Sequence, residues 1–230
     1  MTIAKRDVFV IVAARNEGKV LARTIEPLVE LGYSVVVVDD GSCDDTSTVA
    51  RGLGVHSLRH LVNLGQGAAL QTGMTYALSK GAAVCVHFDA DGQHRVDDLP
   101  AMLEPIARGE ADVALGSRFL RATDAQAVPA RKRAVLRVGV LVNAVMTGLW
   151  LSDAHNGFRA LSRSAAEKVE LCHNGFSHAS EILRQIRKHR LRHVEVPTTV
   201  LYSSYSMAKG QSMWNAFNIV FDLATGMIRR

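Results

Sequence analysis

What the chain lacks narrows it first. Only three cysteines, Cys43, Cys85 and Cys172, occur in 230 residues, far apart and odd in number. No metal or redox spacing joins them, which argues against a disulfide framework and fits reduced thiols in a cytosolic protein. No apolar run reaches the ~18 residues of a spanning helix. The longest, 138–151, is broken by Asn143, Thr147 and Gly148. The N-terminus runs straight into a strand-like segment without an h-region and cleavage site, so no secretory signal is read. Neither G-x-G-x-x-G nor G-x-x-x-x-G-K-[ST] is present, which argues against dinucleotide-binding and P-loop readings. Repeats and low-complexity tracts are missing too, and 48% hydrophobic with 21% charged residues is ordinary for a globular chain. The length suits one α/β domain, read here as a single unit over 1–230. The formal charge of +5 is a weak pull toward anionic partners; no nucleic acid is expected.

What is present is an alternation. Residues 8–14 (VFVIVAA) and 35–38 (VVVV) are continuous apolar runs, as expected for strands buried on both faces. Further strands are expected over 55–60, 83–88 and 112–116. Helices are expected over 18–31, closed by Gly32, and over 44–53, 68–78 and 96–107. This β-α-β-α order predicts an α/β fold with a mostly parallel central sheet flanked by helices on both faces. The second half reads differently. A long helix with a basic start covers 131–151, and strands cover 157–162 and 193–201. Amphipathic helices cover 177–189 and 213–228, and irregular stretches cover 120–130 and 202–211.

Parallel sheets bind ligands beyond the carboxyl ends of their strands. Three such ends are polar: Arg15, Asn16 and Glu17; Asp39 and Asp40; Asp89 and Asp91. Residues distant in sequence therefore converge on one rim. In an extended segment residues two apart point the same way, so Asp89 and Asp91 can face one cation. Oxygen ligands suit Mg²⁺ or Mn²⁺, with substrate phosphates sharing the shell, and Gln93 can add a carbonyl oxygen. The competing reading is a polar loop with an Asp capping the next helix. Asp39 is the better ligand-binding candidate at its strand end. For Asp40, turn support competes equally with ligand contact. Residues 63–67 (NLGQG) precede a helix and form either a phosphate cradle or a plain turn. Arg118 ends another strand and is suited to grip phosphate, against the alternative of a surface salt bridge.

In order, the segments VIVAARNE, VVVVDDGSCDDT, NLGQGAALQTGM, VHFDADGQH, GSRF and SDAHNGFRALSR resemble the family-2 glycosyltransferases of the GT-A fold. Within them the likeness is to polyprenyl-phosphate sugar transferases such as the dolichyl-phosphate mannosyltransferases. It spans roughly residues 8–165 and continues more weakly onward. The resemblance implies a nucleotide-sugar half over 1–120 and an acceptor half over 121–230. It implies a nucleotide pocket at Ala13, Arg15, Glu17 and Asp39, with Val37 near the base. Asp89, Ala90 and Asp91 would hold the metal-bound diphosphate, Gln93 would support the metal, and Arg118 would contact donor or acceptor phosphate. Asp153 lies in SDAHNGFR, where the family commonly reads TDPTSGFR. It is a candidate base or acceptor-orienting residue in a loop shaped by Asn156 and Gly157. Lys209 would supply a phosphate-binding charge from a position shifted against the family's G-x-S-K. The family's Pro-x-Tyr-Asn-Glu is replaced by AARNE at 13–17, with Arg15 able to stack on a base. The spanning helices common at the family's C-terminus have no counterpart here.

The expected reaction is an inverting, metal-dependent transfer from a UDP- or GDP-sugar to a polyprenyl phosphate. The metal would neutralise the departing nucleotide diphosphate. A phosphate nucleophile is already anionic, so orientation matters more than a strong base. The cluster Arg131, Lys132, Arg133 and Arg137 suits an acceptor phosphate or anionic headgroups, or else is a solvated helix face. The segment 213–228, with Trp214 and Phe217, either lies on a membrane surface or completes the core or a homo-oligomer contact. The expected location is cytoplasmic, peripheral on the inner face of the membrane. The alternative is a soluble glycosyltransferase with a saccharide or other hydroxyl acceptor in cell-surface polysaccharide synthesis. That chemistry requires a base such as Asp153. A processive synthase is disfavoured because neither Trp150 nor Trp214 follows an Arg, as Q-x-x-R-W would need. Asp89 and Asp91 argue against an inactive scaffold. The missing Gly-rich, Arg/Lys-containing N-terminal loop argues against a nucleotidyltransferase.

Overall fold

Four valines in a row leave a strand no polar face, so residues 35–38 demand apolar cover on both sides. The computed structural model describes residues 3–121, 130–153, 156–172 and 178–201. Seven strands form one sheet in the order β3-β2-β1-β4-β6-β5-β7. They are β1 (Val8–Ala14), β2 (Ser34–Asp39), β3 (His56–Arg59), β4 (Val84–His87), β5 (Val113–Ser117), β6 (Arg159–Ser162) and β7 (His193–Pro197). β6 runs antiparallel to both its neighbours, β4 and β5, while every other pairing is parallel.

Alternate side chains of β1 and β2 feed two apolar layers. On one face Phe9, Ile11, Val36 and Val38 pack with Leu70, Met74, Ile182 and Leu183. On the other, Val10, Val12, Val35 and Val37 pack with Leu21, Ile25, Leu28 and Met102. Helices α3 (Gln66–Ser79) and α7 (His178–Lys188) supply the first layer. Helices α1 (Gly18–Glu30) and α4 (Leu99–Ala107) supply the second, with α2 (Thr46–Gly52) beside them. Helix α5 (Ala130–Thr147) packs on α7, and the short α6 (Arg163–Ala166) follows β6.

α1 buries Val20, Leu21, Ile25 and Leu28 at helical spacing. It gives way at Gly32, whose φ of +85° is the left-handed turn that glycine adopts without a steric penalty. α3 crosses β1 closely because Gly73 has no side chain: a Cβ there would lie 2.3 Å from Ile11 Cγ2.

The expected elements are present with shifted ends. The strand expected over 193–201 stops at Pro197, and the helix expected over 131–151 ends at Thr147. The expected helix over 213–228 lies outside the described residues. Among those residues, no helix is long and apolar enough to cross a membrane. The reversed β6 has functional weight. It begins where β4 and β5 end, so the segment leading into it arrives at the carboxyl rim of the sheet.

Candidate functional site

The rim is assembled from strand ends, beginning with β1 and β2. Past β1, Asn16 adopts φ +54°, a left-handed conformation that Asn tolerates. Asn16 N–H donates to Ser42 Oγ at 2.9 Å, Glu17 N–H to Thr46 Oγ1 at 2.9 Å, and Gly18 N–H to Asp44 Oδ2 at 3.1 Å. Asn16 Oδ1 in turn accepts from Cys43 N–H at 2.9 Å. The loops after the two strands are thus laced into one wall. Asp39 is fully buried, and its Oδ1 accepts from Ser42 N–H at 2.9 Å. Its Oδ2 has no hydrogen-bond partner, although Arg59 Nε stands 3.5 Å away. That oxygen is an unspent acceptor for a ribose or base donor.

Asp40 is fully spent. It accepts from Leu64 N–H, Gly65 N–H and His60 Nδ1, each at 2.8 Å, and so builds the turn into α3. Val37, expected near the base, has its side chain wholly in the core on the α1 side, so only its backbone could face a ligand. Ala13 is half-buried, and Arg15 is exposed at the rim.

Beyond β4 come Asp89, Ala90 and Asp91. Ala90 C=O accepts from Thr24 Oγ1 of α1 at 3.3 Å, and Asp91 Oδ1 accepts from Gln93 N–H at 3.0 Å. Asp89 Oδ2 lies 2.8 Å from His94 Nε2, and its Oδ1 accepts from Gln66 Nε2, at the start of α3, at 3.3 Å. Gly157 presses on the same carboxylate: a Cβ there would sit 2.6 Å from Asp89 Oδ2. The Asp91 carboxyl is pushed up to about 6, first by burial and then by the negative charges of Asp89 and Glu17. Two half-buried carboxylates whose negative charges oppose each other at one strand end fit a divalent cation. Among the described residues, no three His, Cys, Asp or Glu side chains gather into a ligand set. The protein's share would be Asp89 and Asp91, with diphosphate and water oxygens completing the shell as Mg²⁺ commonly requires. Gln93 stands beside them through its backbone, its C=O accepting from Leu201 N–H at 2.8 Å.

At the next strand end, Arg118 follows β5. Its Nε and Nη2 donate to Asp153 Oδ2 and Oδ1 at 2.6 and 2.7 Å, and its backbone N–H reaches Oδ2 at 3.2 Å. Both residues are buried. Such forked, charge-assisted pairs are strong and directional. Glu195 of β7 anchors the same loop, accepting from Ser152 N–H and Ser152 Oγ at 2.8 Å. Asn156 ties it again, with Nδ2 donating to Thr198 Oγ1 at 3.0 Å and Oδ1 accepting from Phe158 N–H at 3.0 Å. Arg159 is buried between the charges of Asp89 and Asp153. Burial lowers its guanidinium to about 10, which leaves it protonated at neutral pH.

The structure therefore brings Asp89, Asp91, Arg118, Asp153 and Gly157 together at one rim of the sheet. His94, Arg159 and Glu195 belong with them and were not singled out from the sequence. Two of these lie inside the motif runs, but their roles depend on the direction of β6. Arg131, Lys132, Arg133 and Arg137 fall on the first half of α5, where only the Arg133 side chain, half-buried, is among those described. Lys209 lies outside the described residues.

Residues 9–170 match the model of glycosyl transferase family 2. The chain is 30% identical over 242 residues to the UDP-N-acetylglucosamine–dolichyl-phosphate N-acetylglucosaminyltransferase of Methanococcus voltae, covering 96% of each chain. It is 29% identical over 204 residues to the polyprenol monophosphomannose synthase of Mycolicibacterium smegmatis, covering 85% of this chain and 76% of that one. Among solved structures, the Mycobacterium tuberculosis glucosyl-3-phosphoglycerate synthase in complex with uridine diphosphate superposes with a TM-score of 0.67. That match is 19% identical and covers 96% of this chain and 79% of the other, a likeness of fold.

Proposed function

The chain belongs to glycosyl transferase family 2 and is a glycosyltransferase of the GT-A fold, and from that premise we propose that it moves a sugar from a nucleotide diphosphate sugar to a polyprenyl phosphate. The names of the Methanococcus and Mycolicibacterium relatives, both acting on polyprenyl-type lipid phosphates, support the acceptor class. The observation that carries the choice is the Arg118–Asp153 pair. The carboxylate suggested as a base has each of its oxygens engaged by a buried guanidinium. A hydroxyl acceptor needs a proton removed, whereas a phosphate acceptor arrives anionic.

In this reading the wall built by Asn16, Ser42 and Asp39 receives the nucleoside, with the free Oδ2 of Asp39 accepting one hydrogen bond. Ala13, Arg15 and Glu17 edge the same pocket. Asp89 and Asp91 hold Mg²⁺ or Mn²⁺, with Gln93 beside them, and that cation supplies positive charge to the departing nucleotide diphosphate. Arg118, oriented by Asp153, adds its positive charge to the side that receives acceptor phosphate. The basic first half of α5, with Arg131 and Arg133, and Lys209 add charge to that side. A lipid acceptor places the enzyme at a membrane surface, where the cationic cluster meets anionic headgroups.

Two measurements test the proposal. A thermal-shift panel of UDP- and GDP-sugars with Mn²⁺ identifies the donor, because a ligand that binds the native state raises the melting point. The donor so found is then offered to a polyprenyl phosphate and to the corresponding polyprenol. Transfer to the phosphate alone is expected. Transfer to the polyprenol or to a saccharide, with none to the phosphate, would overturn the lipid-phosphate reading in favour of a hydroxyl acceptor.

A further inference from the structure

One histidine sits inside the metal loop. His94 lies five residues past Asp89, between β4 and the 3-10 turn Val96–Asp98. Its side chain is 3% exposed. The ring is wedged between Phe88 and Phe158, with centroids 5.4 and 5.0 Å away, and those two phenylalanines meet edge-on at 5.3 Å. The backbone around it is pinned as well: His94 bridges to Val200, and Gln93 C=O takes Leu201 N–H. Nε2 stands 2.8 Å from Asp89 Oδ2. A carboxylate accepts, so the hydrogen is on Nε2. Nδ1 is buried with no hydrogen-bond partner. In this apolar slot a phenylalanine would pack without an orphaned nitrogen. What the imidazole adds over a phenyl ring is the bond to Asp89.

We propose that His94 is a positioning residue that fixes the Asp89 carboxylate and so preorganises the metal site before a metal–nucleotide complex arrives. The inference rests on the reading that Asp89 and Asp91 hold a divalent cation. Outer partners of metal ligands set ligand orientation, and losing one typically weakens metal binding by about 10–100-fold.

The experiment is Mn²⁺ titration of the full chain in the presence of UDP or GDP, followed by loss of the free-ion electron paramagnetic resonance signal. His94→Phe keeps the aromatic packing and removes the donor. It is expected to weaken Mn²⁺ binding by about tenfold or more, with no fall in melting temperature. His94→Gln restores a donor at similar reach and is expected to recover most of the affinity. Should His94→Phe fail to fold, His94→Met against His94→Gln gives the same comparison. Asp91→Ala separates the two readings. If it abolishes Mn²⁺ binding while His94→Phe binds like wild type, the role of His94 is overturned. If Asp91→Ala itself binds Mn²⁺ like wild type, the metal reading falls and the positioning role falls with it.

Discussion

Asp91 sets binding against stability, and replacing it with Asn measures the conflict. Its carboxyl, ordinarily at 3.8, is pushed up to about 6 by burial and by the charges of Asp89 and Glu17. A native value above the unfolded one means the folded chain binds that proton more tightly. The stability this proton contributes is complete below pH 3.8 and is lost as pH rises through about 6. At pH 7 the metal-free protein therefore carries the full penalty of a charged Asp91. At about 1.4 kcal/mol per pH unit the interval corresponds to roughly 3 kcal/mol. Burying an amide and the mutual coupling of the two carboxylates reduce the expected gain of Asp91→Asn to about 1–2 kcal/mol. For a chain of this size that raises the melting temperature by about 2–8 °C at pH 7. The gain should shrink toward pH 4, where wild-type Asp91 is itself neutral. Scanning fluorimetry across this pH range, with and without Mn²⁺ and nucleotide, reads both sides. Wild type should be the less stable protein without metal and should gain stability when Mn²⁺ and nucleotide are added. The variant should be indifferent to them. A variant that is less stable than wild type at pH 7 without metal refutes the electrostatic reasoning. A variant that keeps the Mn²⁺-dependent shift refutes the assignment of Asp91 to the metal.

Three further outcomes follow from single contacts. Gly157→Ala places a Cβ 2.6 Å from Asp89 Oδ2, so the carboxylate must move. Donor turnover should fall by about tenfold to a hundredfold while circular dichroism stays unchanged, and an unaffected kcat/KM would show that Asp89 has slack. Asp40→Ala removes the shared acceptor of the Leu64 and Gly65 N–H groups and of His60 Nδ1, leaving Gly65 with Asn63 and His60 with Thr72. It should cost about 2–4 kcal/mol in urea unfolding, and a loss under 1 kcal/mol would mean that water replaces the carboxylate. Burial pushes the Cys85 thiol up to about 12, while Cys43 and Cys172 are exposed. A thiol-specific colorimetric reagent should titrate two groups in the native protein and the third only after denaturation.

The first half of the chain was legible because its parts are written locally. A buried parallel strand needs an unbroken apolar run, and VFVIVAA and VVVV supply it. Where such a run stops at acidic residues, the rim must lie there, which placed Asp39, Asp89 and Asp91 at one end of the sheet without reference to any contact. Val37 shows what position alone does not say. The alternation of β2 sends its side chain into the α1 layer together with Val35, which the residue types alone do not reveal. Asp40 was undecided for a similar reason. Its partners are the N–H groups of Leu64 and Gly65, more than twenty residues away, and turn support wins because one carboxylate takes both donors at 2.8 Å.

The second half was less legible because its geometry depends on the direction of one strand. RALS at 159–162 reads as a short apolar strand either way round. Only its pairing shows that it enters at the rim and descends between β4 and β5. That reversal brings Asp153 to Arg118, Gly157 to Asp89, and Arg159 between the two carboxylates. It also bears on the choice the sequence left open at Asp153. For Asp153 to act as a base it must release one oxygen from a bidentate pair whose side chains are 8% and 1% exposed. Breaking a buried pair of this kind costs about 3–5 kcal/mol. A hydroxyl acceptor would have to recover that cost in every turnover, which at about 1.4 kcal/mol per tenfold is a rate penalty of more than a hundredfold. A phosphate acceptor leaves the pair intact and uses it, because a guanidinium held by Asp153 is already oriented when the anion arrives. The proposed preference for a phosphate acceptor therefore rests on a contact that only the fold creates.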